Sequence, residues 1–502
     1  MVTATRAPAG PGDLTALPDP RTVPAVGDPG TGKQQAGPEE GRGLKRSITG
    51  RLLFFYVLGD VLGSGIYVLI GLVAGAVGGA FWLAFAVGVS LATITGLAYA
   101  ELVTKYPQAA GAALYVNKAF RSRPLTFLIT VCMLSACFAA AGSLATGFSA
   151  YFREVWDLPP ALLISLAFVI VLAVVNFIGI TESVVTNMVM TWVEVAGLVI
   201  IMIIGVVYIA QGEADFGVLV DFTADGNPIF ALVAGVALAF FAMTGFENAA
   251  NVAEETVDPA RTFPRALVGG MAAAGVIYVL VAMTAALTVP IGTLEKSDAA
   301  LLEVVEAGIL PVPVGVMTIL FAVIAMIAIT NTTLVSLVTQ SRILYGMANE
   351  DVVPGVFARI HARRRSPWFA LMFATLVVCT LLVVARVLNE AGVRVEGGVV
   401  ARLATVTVVF TLFIYVLVIV SALKLRGHDE SADTFRAQTP LLAVGILGNL
   451  VLIGYVVVDD PTSLLWCAGL LAIGGALFLI EHFFGHRNRS SDRDAPTLST
   501  GI

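Results

Sequence analysis

Three carboxylates stand inside long apolar runs of this chain: Asp60, Glu194 and Glu247. A charge at the centre of a membrane helix costs roughly 2.5–3.5 kcal/mol on insertion scales, so each is a candidate for binding or proton chemistry. Two of them flank glycine-bearing interruptions. Asp60 comes one turn before Leu62-Gly63-Ser64-Gly65-Ile66-Tyr67, and Glu247 directly follows Phe240-Phe241-Ala242-Met243-Thr244-Gly245-Phe246. Glycine costs up to ~1 kcal/mol in a helix interior, so both stretches are expected to unwind. Unwound turns free N–H groups for a carboxylate and carbonyls for an ammonium, and the helix dipoles reinforce both. Gly71 and Gly75, by contrast, are accounted for by close helix packing. Enzyme chemistry is not supported, because there is no H-E-x-x-H, no G-x-S-x-G and no histidine cluster. Gly27 to Lys33 imitates the start of a phosphate-binding loop, but Gln34 stands where Ser or Thr should hold magnesium, and no apolar strand precedes it. No cofactor, metal ion or nucleic acid is expected as a partner. Cys132, Cys137, Cys379 and Cys467 sit in apolar runs without C-x-x-C spacing and imply no disulfide.

The elements that must position these groups are membrane helices. Of the 502 residues, 58% are hydrophobic and only 13% are charged, where a soluble domain carries about 25% charged residues. The stretches Leu125–Phe152, Ala266–Leu294 and Gly308–Ser341 contain no Asp, Glu, Lys or Arg. Each is long enough to cross a ~30 Å hydrocarbon core as a helix of roughly 20 residues. The runs are continuous rather than alternating, so an all-α integral membrane protein is predicted rather than a barrel. Twelve helices are placed near 52–77, 81–103, 125–150, 161–180, 189–210, 229–252, 266–289, 314–338, 368–388, 403–423, 441–458 and 464–484. Residues 1–44 read as a disordered cytoplasmic tail, 45–424 as a core of helices 1–10, 425–484 as helices 11 and 12, and 485–502 as a short cytoplasmic tail. No apolar signal-peptide core precedes the first span. Of the 29 Lys and Arg residues, only Arg153, Lys296, Arg386, Arg394 and Arg402 fall on the side opposite the N-terminus. The positive-inside rule therefore expects both termini in the cytoplasm. The interrupted spans are the first and the sixth, which open two possible five-helix halves. Interruptions at corresponding places point to an inverted-repeat carrier with its site at the mid-plane.

Four stretches in order make the chain resemble an amino acid permease of the amino acid–polyamine–organocation superfamily, close to the cationic amino-acid transporter branch. They are Gly63-Ser64-Gly65-Ile66-Tyr67; Tyr99-Ala100-Glu101-Leu102 with Pro107 and Gly111; Gly245-Phe246-Glu247 with Glu254, Glu255, Asp258-Pro259, Arg261 and Pro264; and Gln340 to Ala348 with Pro354. Two departures fall in loops: Ala110 stands where a second glycine is common, and Asn349-Glu350-Asp351 replaces Arg-Asp-Gly. The resemblance implies a LeuT-like 5+5 inverted repeat with broken helices 1 and 6 and two added C-terminal helices. It implies that the substrate carboxylate meets the N–H groups of Ser64, Gly65 and Ile66, that its amino group meets the carbonyls of Phe241, Ala242 and Thr244, and that Phe246 gates the pocket. It also implies a cytoplasmic network of Glu254, Glu255 and Arg261, for which surface solvation is the alternative.

The expected function is secondary active transport of amino acids across the plasma membrane by alternating access, coupled to protons or run as exchange. A polyamine or organic-amine carrier and a non-transporting amino-acid receptor of the same fold are the alternatives. Glu247 is placed to face a substrate side chain, or else to reach the inner water. Many relatives carry a lysine on helix 5 where the alignment puts Glu194, so the coupling device here is expected to differ. Burial disfavours the charged form of such a carboxyl. It acts either as a proton-dependent hydrogen-bond donor to helix 1 or as a cation ligand with Thr332 or Thr333. Asp60 completes the coupling candidates.

Overall fold

The structure is a computed structural model. It describes residues 48–484 apart from 108–110, 157–158, 179–183, 224–226, 350–352, 362–365, 393–397 and 429–433. Both predicted tails lie outside the described residues, as does the side chain of Glu254.

The chain forms sixteen α-helices among the described residues. The first span is a bent pair, α1 (Gly50–Leu62) and α2 (Gly65–Val77), which meet at 43°. Next come α3 (Trp82–Lys105), the short helix α4 (Gly111–Phe120), α5 (Arg123–Val155), α6 (Ala161–Ile178) and α7 (Val184–Ala210). The sixth span begins as α8 (Pro228–Ala239) and continues through two 3₁₀ segments, Phe240–Met243 and Phe246–Glu255. There follow α9 (Pro259–Thr288), two short helices α10 (Ile291–Lys296) and α11 (Ala300–Glu306), α12 (Val314–Asn349), α13 (Trp368–Glu390), α14 (Gly398–Lys424), α15 (Thr439–Asp459) and α16 (Pro461–Phe484). Among the described residues, eleven helices are long and apolar enough to cross a membrane, and the bent pair brings the count to twelve. The expected count is thus met. Helices are the local solution because an apolar segment in lipid must satisfy every backbone N–H and C=O within itself.

Each interruption has a local cause. At the first, α1 stops at Leu62 and α2 starts at Gly65, with Gly63 and Ser64 between them. At the second, Gly245 has φ +118°, a conformation that a side chain would strain. The ten residues after it hold 3₁₀ geometry, which is uncommon beyond three or four residues and marks hinges.

The two breaks pack against each other in the middle of the bundle. A Cβ built on Gly65 would lie 2.5 Å from the Cα of Ala242, so backbone meets backbone there. A Cβ on Gly245 would likewise meet the carbonyl of Asp60. Around this centre α3 runs along α9, α5 packs against both α12 and α14, and α1 lies between α7 and α9. Two further contacts lie toward the ends of the bundle. The short helices α10 and α11 seat on α2, where Gly71 and Gly75 make room for Leu294, Ala300 and Glu295. At the opposite end Ile48 exchanges backbone hydrogen bonds with Glu255 and Val257 (3.0 and 2.9 Å).

Candidate functional site

A cavity of about 100 Å³ lies where the breaks face α5, α12 and α14, room for several water molecules. Asp60, Val61, Gly63, Ser64 and Gly65 line it from the first span. Phe241, Ala242, Thr244, Gly245, Glu247 and Asn248 line it from the sixth. The structure therefore brings Asp60, Gly63, Ser64, Gly65, Phe241, Ala242, Thr244, Glu247 and Thr332 around one space.

The donor side is the start of α2. Ser64 is fully buried and its hydroxyl has no hydrogen-bond partner among the described residues. Its N–H donates to the Thr332 hydroxyl on α12 at 3.3 Å. The first N–H groups of a helix have no intrahelical acceptor and carry the positive end of its dipole, so the start of α2 is built to receive an anion. The acceptor side is more occupied. The Phe241 carbonyl accepts the Thr244 hydroxyl at 2.8 Å, and the Ala242 carbonyl accepts Tyr278 Oη from α9 at 3.1 Å. The Phe241 carbonyl also accepts the Thr244 N–H at 3.3 Å, so of the two it is the Ala242 carbonyl that keeps a lone pair for an ammonium.

Glu247 is held rather than free. Its Oε2 accepts the Gly245 N–H at 2.9 Å and the Tyr415 hydroxyl at 2.6 Å. This fixes the carboxylate at the cavity wall, with no Lys or Arg among the lining residues. Asp60 presents one buried carboxylate oxygen without a partner among the described residues.

Four expected residues stand off the cavity lining. Ile66 is fully buried behind Gly65 in the first turn of α2. Phe246 is buried against Tyr99 (5.7 Å between ring centroids) and Tyr415 (5.2 Å). Thr333 is buried and donates to the Ile329 carbonyl at 2.7 Å within its own helix. Glu194 is completely buried on α7, and neither carboxylate oxygen has a partner among the described residues. Its own backbone carbonyl accepts the Tyr67 hydroxyl at 2.9 Å, and one turn earlier Thr191 fills the space left by Gly59 of α1.

The sequence reading missed the far wall, formed by Ala136, Cys137, Ala140 and Leu144 on α5, Val335, Ser336 and Thr339 on α12, and Thr407 and Thr411 on α14. A signal existed. Thr332 and Ser336, like Thr407 and Thr411, are four apart and so share one helix face, a hydroxyl stripe in an otherwise apolar span.

Comparisons with known proteins bear on the family and the fold. A family model described as amino acid permease matches residues 50–478. The chain is 27% identical over 326 residues to a chloroplastic cationic amino acid transporter of Arabidopsis thaliana, covering 61% of this chain and 55% of that protein. It is 25% identical over 352 residues to a branched-chain amino acid permease of Bacillus subtilis, covering 66% of this chain and 73% of that one. Among solved structures, a manganese transporter of Eremococcus coleocola shares the fold, with a TM-score of 0.59 at 14% identity over 86% of this chain and 93% of that chain. With the model spanning both interrupted helices and nearly every span around the cavity, the chain belongs to the amino acid permease family.

Proposed function

We propose that this protein carries α-amino acids across the plasma membrane by alternating access, with the cavity between the two breaks as the substrate site. The observation that carries the reading is the juxtaposition of two interrupted helices around a lined cavity, with an anion-receptive helix start on one side and unwound carbonyls on the other. The substrate carboxylate sits at the start of α2, against the N–H groups of Gly65 and Ile66 and the unpaired Ser64 hydroxyl. The amino group sits against the carbonyls of Phe241, Ala242 and Thr244. Glu247 and Asp60, with no basic residue in the lining, favour a side chain that brings positive charge. The names of similar proteins, a cationic amino acid transporter and a branched-chain amino acid permease, bracket this choice between charged and aliphatic substrates.

Coupling is assigned to Glu194. A carboxyl buried without any partner is held most cheaply as the neutral acid, and in that form it can donate one hydrogen bond. Proton release removes the donor, so protonation biases the packing of α7 against α1. Both termini are placed in the cytoplasm, where the positive-inside rule puts the basic loops. The test is purified protein in liposomes, assayed for uptake and exchange of twenty labelled amino acids. Saturable uptake of at least one is the expected result. Neither uptake nor exchange of any amino acid, from protein that remains folded, would overturn the reading.

A further inference from the structure

One hydroxyl group joins both broken helices. Where α1 stops, the Val61 carbonyl loses the N–H it would have met in a continuous helix, and the Ala242 carbonyl lies in the unwound stretch of the sixth span. Orphan carbonyls inside a membrane bundle need a donor. Tyr278 of α9 supplies it to both: its hydroxyl donates to the Val61 carbonyl and, at 3.1 Å, to the Ala242 carbonyl. The side chain is fully buried, and its ring packs against Phe85 of α3 (5.8 Å between centroids). Val61 and Ala242 both line the cavity. A single proton therefore ties the end of α1 to the 3₁₀ turn of the sixth span, beside the point where Gly65 touches Ala242.

We propose that Tyr278 is a positioning residue that holds the two breaks in one binding-competent arrangement through its shared hydroxyl proton. It does not touch the proposed substrate. The inference deepens the transport reading, on which its kinetic arm rests, while its structural arm stands without it. Without the hydroxyl, the two carbonyls lose their common donor and the breaks move independently. Only a fraction of molecules then presents the assembled site, and apparent affinity falls by that fraction.

Another tyrosine provides the control. Tyr151 of α5 donates to the Tyr67 carbonyl of α2 at 2.8 Å, also fully buried, but it bridges nothing in the sixth span. Tyr278→Phe and Tyr151→Phe each remove one buried hydroxyl at constant ring size.

The experiment is amide hydrogen–deuterium exchange on the detergent-solubilised protein together with uptake kinetics in liposomes. Tyr278→Phe is expected to speed exchange in 61–66 and 240–246 together. It is also expected to raise KM about three- to tenfold, the fold-change of one lost hydrogen bond, with Vmax retained. Tyr151→Phe is expected to leave 240–246 and KM unchanged. 4-Aminophenylalanine at position 278, which keeps an N–H donor in place, is expected to restore both measures, and this arm decides the matter should Tyr278→Phe not fold. Faster exchange in one segment only, an unchanged KM, or the same KM rise in Tyr151→Phe would overturn the proposal, as would failure of the amino analogue to rescue. If the wild-type protein takes up no amino acid, the substrate reading fails, while exchange in the two segments still decides the role of Tyr278.

Discussion

At the scale of single residues, the strongest constraint is the contact at Gly65. Any side chain there must displace the Ala242 backbone, since even a Cβ would come to 2.5 Å of its Cα. Gly65→Val is expected to abolish uptake while folded protein still reaches the membrane, as judged by size-exclusion profile. Normal kinetics would remove this contact from the site. Glu247 tests selectivity. Arginine and lysine are expected to outcompete leucine in the wild type, and Glu247→Gln is expected to reverse that order, because the amide keeps the volume and loses the charge. An unchanged order would assign the carboxylate to holding Gly245 and Tyr415 alone. Glu194 tests coupling. With imposed gradients in liposomes, proton-driven accumulation is expected in the wild type and is expected to be lost in Glu194→Gln. Sodium dependence lost in that variant would point to a cation ligand instead, and unchanged accumulation would sink both roles.

At the scale of elements, α14 is bolted to the C-terminal pair near both of its ends. Beyond its last turn, Arg426 forms a two-pronged pair with Glu101 of α3 (2.9 and 2.8 Å) and also donates to Thr439 and the Ala437 carbonyl. Near its start, Arg402 pairs with Asp460 at 3.0 Å and donates to Thr462. Glu101 is 1% exposed, and breaking such a buried pair from one side leaves an uncompensated charge at a cost of about 3–5 kcal/mol. Glu101→Ala is therefore expected to lower the unfolding free energy by about that amount, and Glu101→Leu with Arg426→Met to recover most of it. A single substitution without effect on the melt would show the clamp to be idle. Asp460 behaves differently because water reaches it. Burial alone would raise its pKa, but hydrogen bonds from Ser463 and Thr462 and the charge of Arg402 together bring it below the usual value of 3.8. A depressed carboxyl stabilises the fold above its unfolded pKa and loses that contribution as pH falls through the folded one. Melting of the wild type is thus expected to lose this contribution only below about pH 4, and Asp460→Asn to lack that component.

At the scale of the whole molecule, the orientation proposed from the loop charges can be tested. In a background with the native cysteines replaced, Lys296→Cys is expected to react with an impermeant maleimide on intact cells, and Arg359→Cys only after lysis. The reverse pattern would invert the topology. The position of the cavity depends on this orientation as well. From the breaks it extends along α12 from Thr332 to Thr339, toward the end of the bundle at which α1 begins. Toward the two ends lie α10 and α11 on α2, and Ile48 hydrogen-bonded to Glu255 and Val257.

The sequence by itself determined the membrane class, the twelve spans and the two interruptions, because each rests on local chemistry. An apolar run must satisfy its own backbone in lipid, and a glycine weakens a helix wherever it stands. Helix ends were less legible: α5 and α12 run several residues past the predicted 125–150 and 314–338, since charged residues such as Arg123, Arg153 and Arg342 are carried on the same helices beyond the apolar core. Only the tertiary structure decided which side chains meet. Ile66 and Phe246 belong to the motifs yet stand off the cavity, whereas Cys137, Thr407 and Thr411, in no motif, line it. Tyr278 and Tyr415 read in sequence as two more aromatic residues of apolar spans. Their hydroxyls acquire roles because a break elsewhere in the chain leaves carbonyls and a carboxylate in need of a donor, and such a need exists only once distant helices are packed together.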